Sequence, residues 1–132
     1  DEDLALIETT SRALDAGIAA ATVGNRMGDV SAAIGEVARG ARLKVNMDFG
    51  GHGVGTIMHG DPHVPNDGKA GRGFPLQAGL VFAIEPWFML STKKLYTDDD
   101  GWTLRSDNGS RAAHFEHTVA VTDDGPLVLS AR

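Results

Sequence analysis

The apolar residues change their spacing at Leu43, from a period of about 3.6 to a period of about 2, so a chain with this pattern has to place helices first and strands afterwards. Before the change, Leu4, Ile7, Leu14 and Ile18 recur at helical spacing with Ser11 filling the gap, which predicts a helix from Asp1 to about Ala21. Asp1, Glu2 and Asp3 stand where the positive end of a helix favours acidic groups, and Gly24 offers a stop. Met27, Val30, Ile34 and Val37 predict a second helix from about Met27 to Ala38, with Gly40 near its end. After the change, Leu43 to Met47 alternates, and Lys44 and Asn46 make one of its faces wet. Gly79 to Ile84 is an almost unbroken apolar run, the pattern of a strand covered on both faces. Gly101 to Arg105 and Ala112 to Thr122 alternate as antiparallel strands do, and Leu127 to Leu129 makes a short last strand. Turn sequences at Asp98 to Gly101, Asp107 to Gly109 and Asp123 to Pro126 separate them, and Asn66 to Gly73 reads as a surface loop. The expectation is one α+β domain in which two helices cover a mostly antiparallel sheet.

Composition narrows the chemistry. A chain of 132 residues suits one domain, and its net charge of -6 argues against nucleic acid or an anionic membrane as a partner. There is no cysteine, which removes disulfides, thiolate metal sites and a thiol nucleophile and leaves any metal to histidine and carboxylates. No apolar run approaches the roughly 20 residues of a membrane span, and no basic-then-apolar leader opens the sequence. A cytoplasmic protein is the expectation.

One stretch concentrates chemistry: Gly50-Gly51-His52-Gly53-Val54-Gly55-Thr56-Ile57-Met58-His59-Gly60-Asp61-Pro62. Glycines around His52 let the backbone turn sharply or pass close to a neighbour. Far downstream, Glu85 ends the apolar run and precedes Pro86, which holds it extended. A carboxylate fixed at the end of a buried strand costs several kcal/mol unless a cation or donors satisfy it, although it can also emerge into solvent there. In the run from His114 to Val121, one face carries Phe115, His117, Val119 and Val121 and the other His114, Glu116, Thr118 and Ala120. That polar strip is either a solvated outer face or a ligand surface. His52 by itself is as compatible with a structural histidine as with a ligand, His63 reads as exposed, and His114 and His117 have no assigned role. Imidazole and carboxylate donors without thiolate suit Mn, Fe, Co or Zn. No His-Glu-x-x-His pair is present, so spacing alone does not establish a metal.

Taken together, Gly51-His52-Gly53-Val54-Gly55, Met58-His59-Gly60-Asp61-Pro62, Phe82-Ala83-Ile84-Glu85-Pro86 and Phe115-Glu116-His117-Thr118-Val119 resemble the type I methionine aminopeptidases, in that family's order and at about its spacing. The resemblance covers nearly the whole chain and implies the pita-bread fold, two αβ halves with metals between them. It implies two divalent ions (Co, Mn, Fe or Zn), with His52 a ligand to one of them. Glu85 becomes a further ligand and the carrier of the attacking water's proton, and Glu116 the bridging carboxylate. His59 would hydrogen-bond the scissile amide and its oxyanion. Met58 and Trp102 would line the methionine side-chain pocket, with Met58 standing where the family usually has an aromatic residue. The implied reaction removes the initiator methionine from a nascent peptide by attack of activated water on the amide. The family also uses two aspartates from its first half, and nothing here matches them. The expectation is therefore that residues 1–132 form the C-terminal portion of a single catalytic domain, whose N-terminal half is absent and would supply that pair. A proline-directed peptidase of the same fold and a metal-free binding module are the competing readings.

Overall fold

The computed structural model describes residues 1–131. Helix α1 runs Glu2–Ala19 and helix α2 runs Met27–Gly40. Asp1 caps α1, its carboxylate accepting from the Asp3 N–H at 3.0 Å, as the acidic opening leads one to expect. The buried face of α1 only partly coincides with the one the leucine and isoleucine spacing picks out: Leu14 is in the core and Ile18 packs against it. Leu6, Thr10, Ala13, Leu14 and Gly17 face inward, whereas Leu4 and Ile7 are exposed. The reason lies at Gly17, where a Cβ would stand 3.0 Å from Ile34 Cγ1 and 3.2 Å from Ile84 Cγ2. The helix packs closely through its small residues, and the Thr10 hydroxyl is satisfied internally by donating to the Leu6 carbonyl at 2.8 Å.

Ten short strands follow: β1 (Lys44–Val45), β2 (Gly51–Gly53), β3 (Gly60–Val64), β4 (Val81–Ile84), β5 (Trp87–Met89), β6 (Leu95–Thr97), β7 (Leu104–Ser106), β8 (Ala112–His114), β9 (His117–Thr122) and β10 (Gly125–Val128). They form a five-stranded sheet in the order β10-β9-β4-β2-β3, a three-stranded sheet β1-β5-β8 and the hairpin β6-β7, all antiparallel. Phe82 and Ile84 of β4, Val119 and Val121 of β9 and Phe88 of β5 join Leu14, Val30 and Ile34 of the helices in one hydrophobic core. The α+β arrangement is as the sequence predicts, with differences at particular elements. The glycine- and proline-rich histidine stretch, weak in strand propensity, nonetheless supplies β2 and β3. The run from Ala112 to Thr122 is two strands in two different sheets, broken at Phe115 and Glu116. The strand expected over Gly101 to Arg105 begins only at Leu104, because Asp98 to Thr103 make the hairpin turn. Among the described residues no helix is long and apolar enough to cross a membrane.

The loop from Asn66 to Gly73 is exposed only in its second part, since Asn66 is fully buried. It is tied to α2 through Asp29, whose carboxylate accepts from the Arg26 N–H at 2.7 Å and from the Gly71 N–H at 2.8 Å. These two bonds, the Arg26 one first, hold the Asp29 carboxyl below the usual aspartate range. Because the folded value is depressed, the contribution is present above the unfolded value and is lost as pH falls through the folded one. The difference in melting temperature between wild type and Asp29→Ala is therefore expected to be full at neutral pH and to vanish in strong acid; a difference that does not change with pH would contradict it.

Candidate metal centre

His52 sits in the middle of β2, between two glycines that no other residue can replace without moving backbone. A Cβ on Gly51 would lie 2.0 Å from the Ala83 carbonyl oxygen, and one on Gly53 would lie 1.9 Å from that of Asp61. Gly53 pairs with Phe82, which brings His52 alongside Ala83. Between β4 and β9 the register runs Ala83 with Thr118 and Ile84 with His117, so the next step sets Glu85 opposite Glu116. Side chains alternate along a strand. Phe82 and Ile84 enter the core, and Ala83 and Glu85 belong to the opposite face with Glu116 and Thr118 across from them. Sheet periodicity alone thus gathers the two carboxylates and the imidazole on one face.

Both glutamates occupy the points where the chain leaves one sheet for the other, Glu85 between β4 and β5 and Glu116 between β8 and β9. The crossings are tied together, the Phe115 N–H donating to the Pro86 carbonyl at 3.3 Å. Asn66, missed as a functional residue in the sequence, donates to the Glu85 carbonyl at 2.9 Å and fixes the backbone from which that carboxylate projects.

The donors converge. One ligand atom from each of His52, Glu85 and Glu116 lies within 4.8 Å of the others. His52 Nε2 and Glu85 Oε1 are 3.3 Å apart, with the two side chains only 15% and 14% exposed. Nδ1 of His52 lies 3.1 Å from the Gly53 carbonyl, which accepts its N–H, and Nε2 is the nitrogen turned toward the carboxylate. The contact is an ion pair when Nε2 carries a proton and a pair of metal donors when it does not. Donors each about 2.1 Å from one ion at tetrahedral or octahedral angles lie roughly 3.0–3.4 Å apart, so the observed separation fits a shared metal.

The other residues singled out by sequence are distributed around this group. The His59 ring, exposed on the β2–β3 connection, stands with its centroid 4.4 Å from that of His52 at 55°. Trp102 is 86% exposed at the tip of the β6–β7 hairpin and lines an open groove of about 770 Å³ with Phe49, Trp87, Leu104 and His114. Met58, also exposed, is not among the residues lining that groove. Asp100 shapes the tip: its carboxyl is held below the usual range by the Thr103 hydroxyl, then by the Thr103 and Trp102 N–H groups. His63 is exposed on β3, and His117 is engaged by Ser130 through Nδ1 at 2.8 Å. His114, left without a role in the sequence, reaches Glu85: its Nε2 is 3.2 Å from Oε2. The one signal for it was its place two residues before Glu116 on the polar strip.

A histidine and two glutamates gathered on one face of an antiparallel sheet form a group that could hold a metal ion. The sequence matches the metallopeptidase family M24 over residues 1–123, and the chain belongs to that family, whose members work with a divalent metal. Methionine aminopeptidase 1 of Mycobacterium tuberculosis (strain CDC 1551 / Oshkosh) is 53% identical over 136 residues, covering 98% of this chain and 51% of that protein. Methionine aminopeptidase of Aquifex aeolicus (strain VF5) is 45% identical over 127 residues, covering 95% of this chain and 49% of that protein. The crystal structure of methionine aminopeptidase from Thermotoga maritima matches with a TM-score of 0.96 at 38% identity, over 100% of this chain and 53% of that one. The fold is the pita-bread fold of these enzymes. The chain spans about half the length of the curated relatives it matches.

The backbone contacts around His52 yield a direct expectation. Gly53→Ala forces a methyl group into the Asp61 carbonyl and should destabilise the fold by roughly 1–3 kcal/mol, as overpacking does elsewhere. Urea unfolding measures this, and a variant as stable as wild type would show that β2 and β3 lie further apart than described.

Proposed function

We propose that these residues form the C-terminal portion of a catalytic domain that removes N-terminal methionine from nascent peptides in the cytoplasm. In this reading two divalent ions (Mn, Fe, Co or Zn) are held by His52, Glu85 and Glu116 together with two aspartates from another stretch of polypeptide. The observation that carries it is the 3.3 Å approach of His52 Nε2 to a largely buried Glu85 oxygen, beside a second carboxylate. The kinship with methionine aminopeptidases across nearly the whole chain supports the choice of substrate.

The chemistry such ions supply when bound is Lewis acidity, which lowers the pKa of water toward neutrality and polarises an amide carbonyl. The remaining proposed steps fall to side chains of this chain. Glu85 takes the proton from the attacking water and passes it to the departing amine. Glu116, opposite it, would be the carboxylate ligand shared by the ions and would offset their charge. His59, standing beside His52, donates an N–H to the substrate amide oxygen as negative charge develops there. Trp102 and Met58 close on the methionine side chain, Trp102 from the wall of the groove.

The test is hydrolysis by the full-length protein loaded with Mn²⁺ or Co²⁺. It should cleave Met-Ala peptides in preference to Xaa-Pro peptides; the opposite preference would make it a proline-directed peptidase. A partner-binding activity that survives Glu116→Ala, with no hydrolysis to lose, would make it a binding module. His59→Ala should lower kcat by roughly 10²–10³-fold, the effect of removing one oxyanion donor, and leave metal affinity unchanged. Calorimetric titration of the 132-residue chain with Mn²⁺ should give at most one weak site. Two tight sites would overturn the part of the proposal that assigns the remaining ligands elsewhere.

A further inference from the structure

Glu85 is held from both sides. Oε1 faces His52 at 3.3 Å and Oε2 faces His114 Nε2 at 3.2 Å. The second contact differs in kind from the first. An ionised carboxylate only accepts, so the hydrogen of that bond resides on His114 Nε2. Among the described residues, the mutually close donors are those of His52, Glu85 and Glu116, and His114 is not one of them. His114 reaches the far oxygen of the ligand, not the place where the donors converge.

The ring is also fixed in orientation. His114 ends β8 directly across from Trp87 on β5, and the two rings lie 5.0 Å apart at 38°. Trp87 is in turn backed by Phe49 at 5.6 Å, and all three residues line the open groove. An aromatic stack thus sets the direction in which the Nε2–H points.

Resting on the metal-centre reading above, we propose that His114 is a positioning residue for Glu85. Its N–H pins Oε2, which leaves Oε1 as the oxygen turned to His52 and to a shared cation. Without that bond the glutamate can rotate about its terminal torsion and present either oxygen, or neither, to the ion. Partners in this role elsewhere are worth about 10–100-fold in metal affinity or activity when removed.

The experiment compares wild type, His114→Phe and His114→Gln in the full-length protein, with Mn²⁺ calorimetry as the main readout. His114→Phe keeps a ring against Trp87 and removes the donor; His114→Gln keeps an N–H at similar reach. His114→Phe is expected to weaken Mn²⁺ binding by about 10–100-fold, and His114→Gln to recover most of the loss. The visible spectrum of the Co²⁺ form should be the same in His114→Gln as in wild type, because no ligand is exchanged. With a Met-Ala peptide, His114→Phe should lower kcat more than it raises KM, since the groove wall stays aromatic. Equal Mn²⁺ affinity in wild type and His114→Phe would overturn the inference and leave the metal centre standing. Equal weakness of both variants would overturn it too, by assigning the loss to the ring and not its N–H, as would a Co²⁺ spectrum that loses a ligand in His114→Gln. No Mn²⁺ binding by wild type would remove the metal centre and this inference with it. Should His114→Phe not fold, His114→Ala carries the same comparison, because the side chain is 35% exposed and outside the core.

Discussion

Negative charge held against negative charge is the constraint on which this structure turns. Two carboxylates lie opposite one another at the ends of β4 and β9, with the His52 imidazole beside them. Two unit charges about 4 Å apart interact by roughly 4 kcal/mol at the effective dielectric of a protein surface, and here the sign is repulsive. A fold of ordinary stability, of order 5–15 kcal/mol, tolerates such an arrangement only if a cation compensates it or if the surrounding backbone leaves the groups no alternative. Both conditions are met in part. The donor spacing suits a divalent ion, and the register of three strands fixes where each side chain starts.

That register comes from the other face of the same sheet. Phe82, Ile84, Val119 and Val121 are fully buried, and shifting β4 by one residue would send Phe82 and Ile84 out and the glutamate in. The apolar core therefore acts as the device that aims the polar face. Pro86, buried after Glu85, and Asn66, donating to the Glu85 carbonyl, then stop the chain from relaxing where it crosses between sheets. Removing Asn66 would free a carbonyl in the interior and loosen the ligand without touching it.

What the sequence discloses follows from where the information is local. The two helices and the apolar run of β4 follow from periodicity, and the polar strip carrying Glu116 is visible because alternation is a property of neighbours. Four strands stayed hidden. Gly51–Gly53 and Gly60–Val64 are too rich in glycine and proline to advertise extended structure, and their pairing depends on close backbone approach that only the assembled sheet reveals. Trp87–Met89 and Leu95–Thr97 are too short to show a period. The close approach of α1 to the sheet is hidden for a related reason: Gly17 carries no hydropathic signal, yet a Cβ there would meet Ile84 of β4 at 3.2 Å. At the site, the residues with a motif around them could be picked out. Asn66 and His114 could not, because their importance lies in one hydrogen bond each, made across 19 and 29 residues of sequence.

Exposure across the site is graded, and the gradient divides responsibility. His52 and Glu85 are mostly covered and anchored by bonds made within this chain: Nδ1 to the Gly53 carbonyl, Oε2 from His114, the backbone from Asn66. Glu116 is exposed, with its backbone fixed by the crossing at Phe115 and its side chain open to whatever stands opposite. The first pair is therefore preorganised by the described residues, whereas the Glu116 side chain is exposed. Affinity at such a centre is set more by how rigidly the first two are held than by the third, which is why the hydrogen bond to the far oxygen of Glu85 matters out of proportion to its single contact.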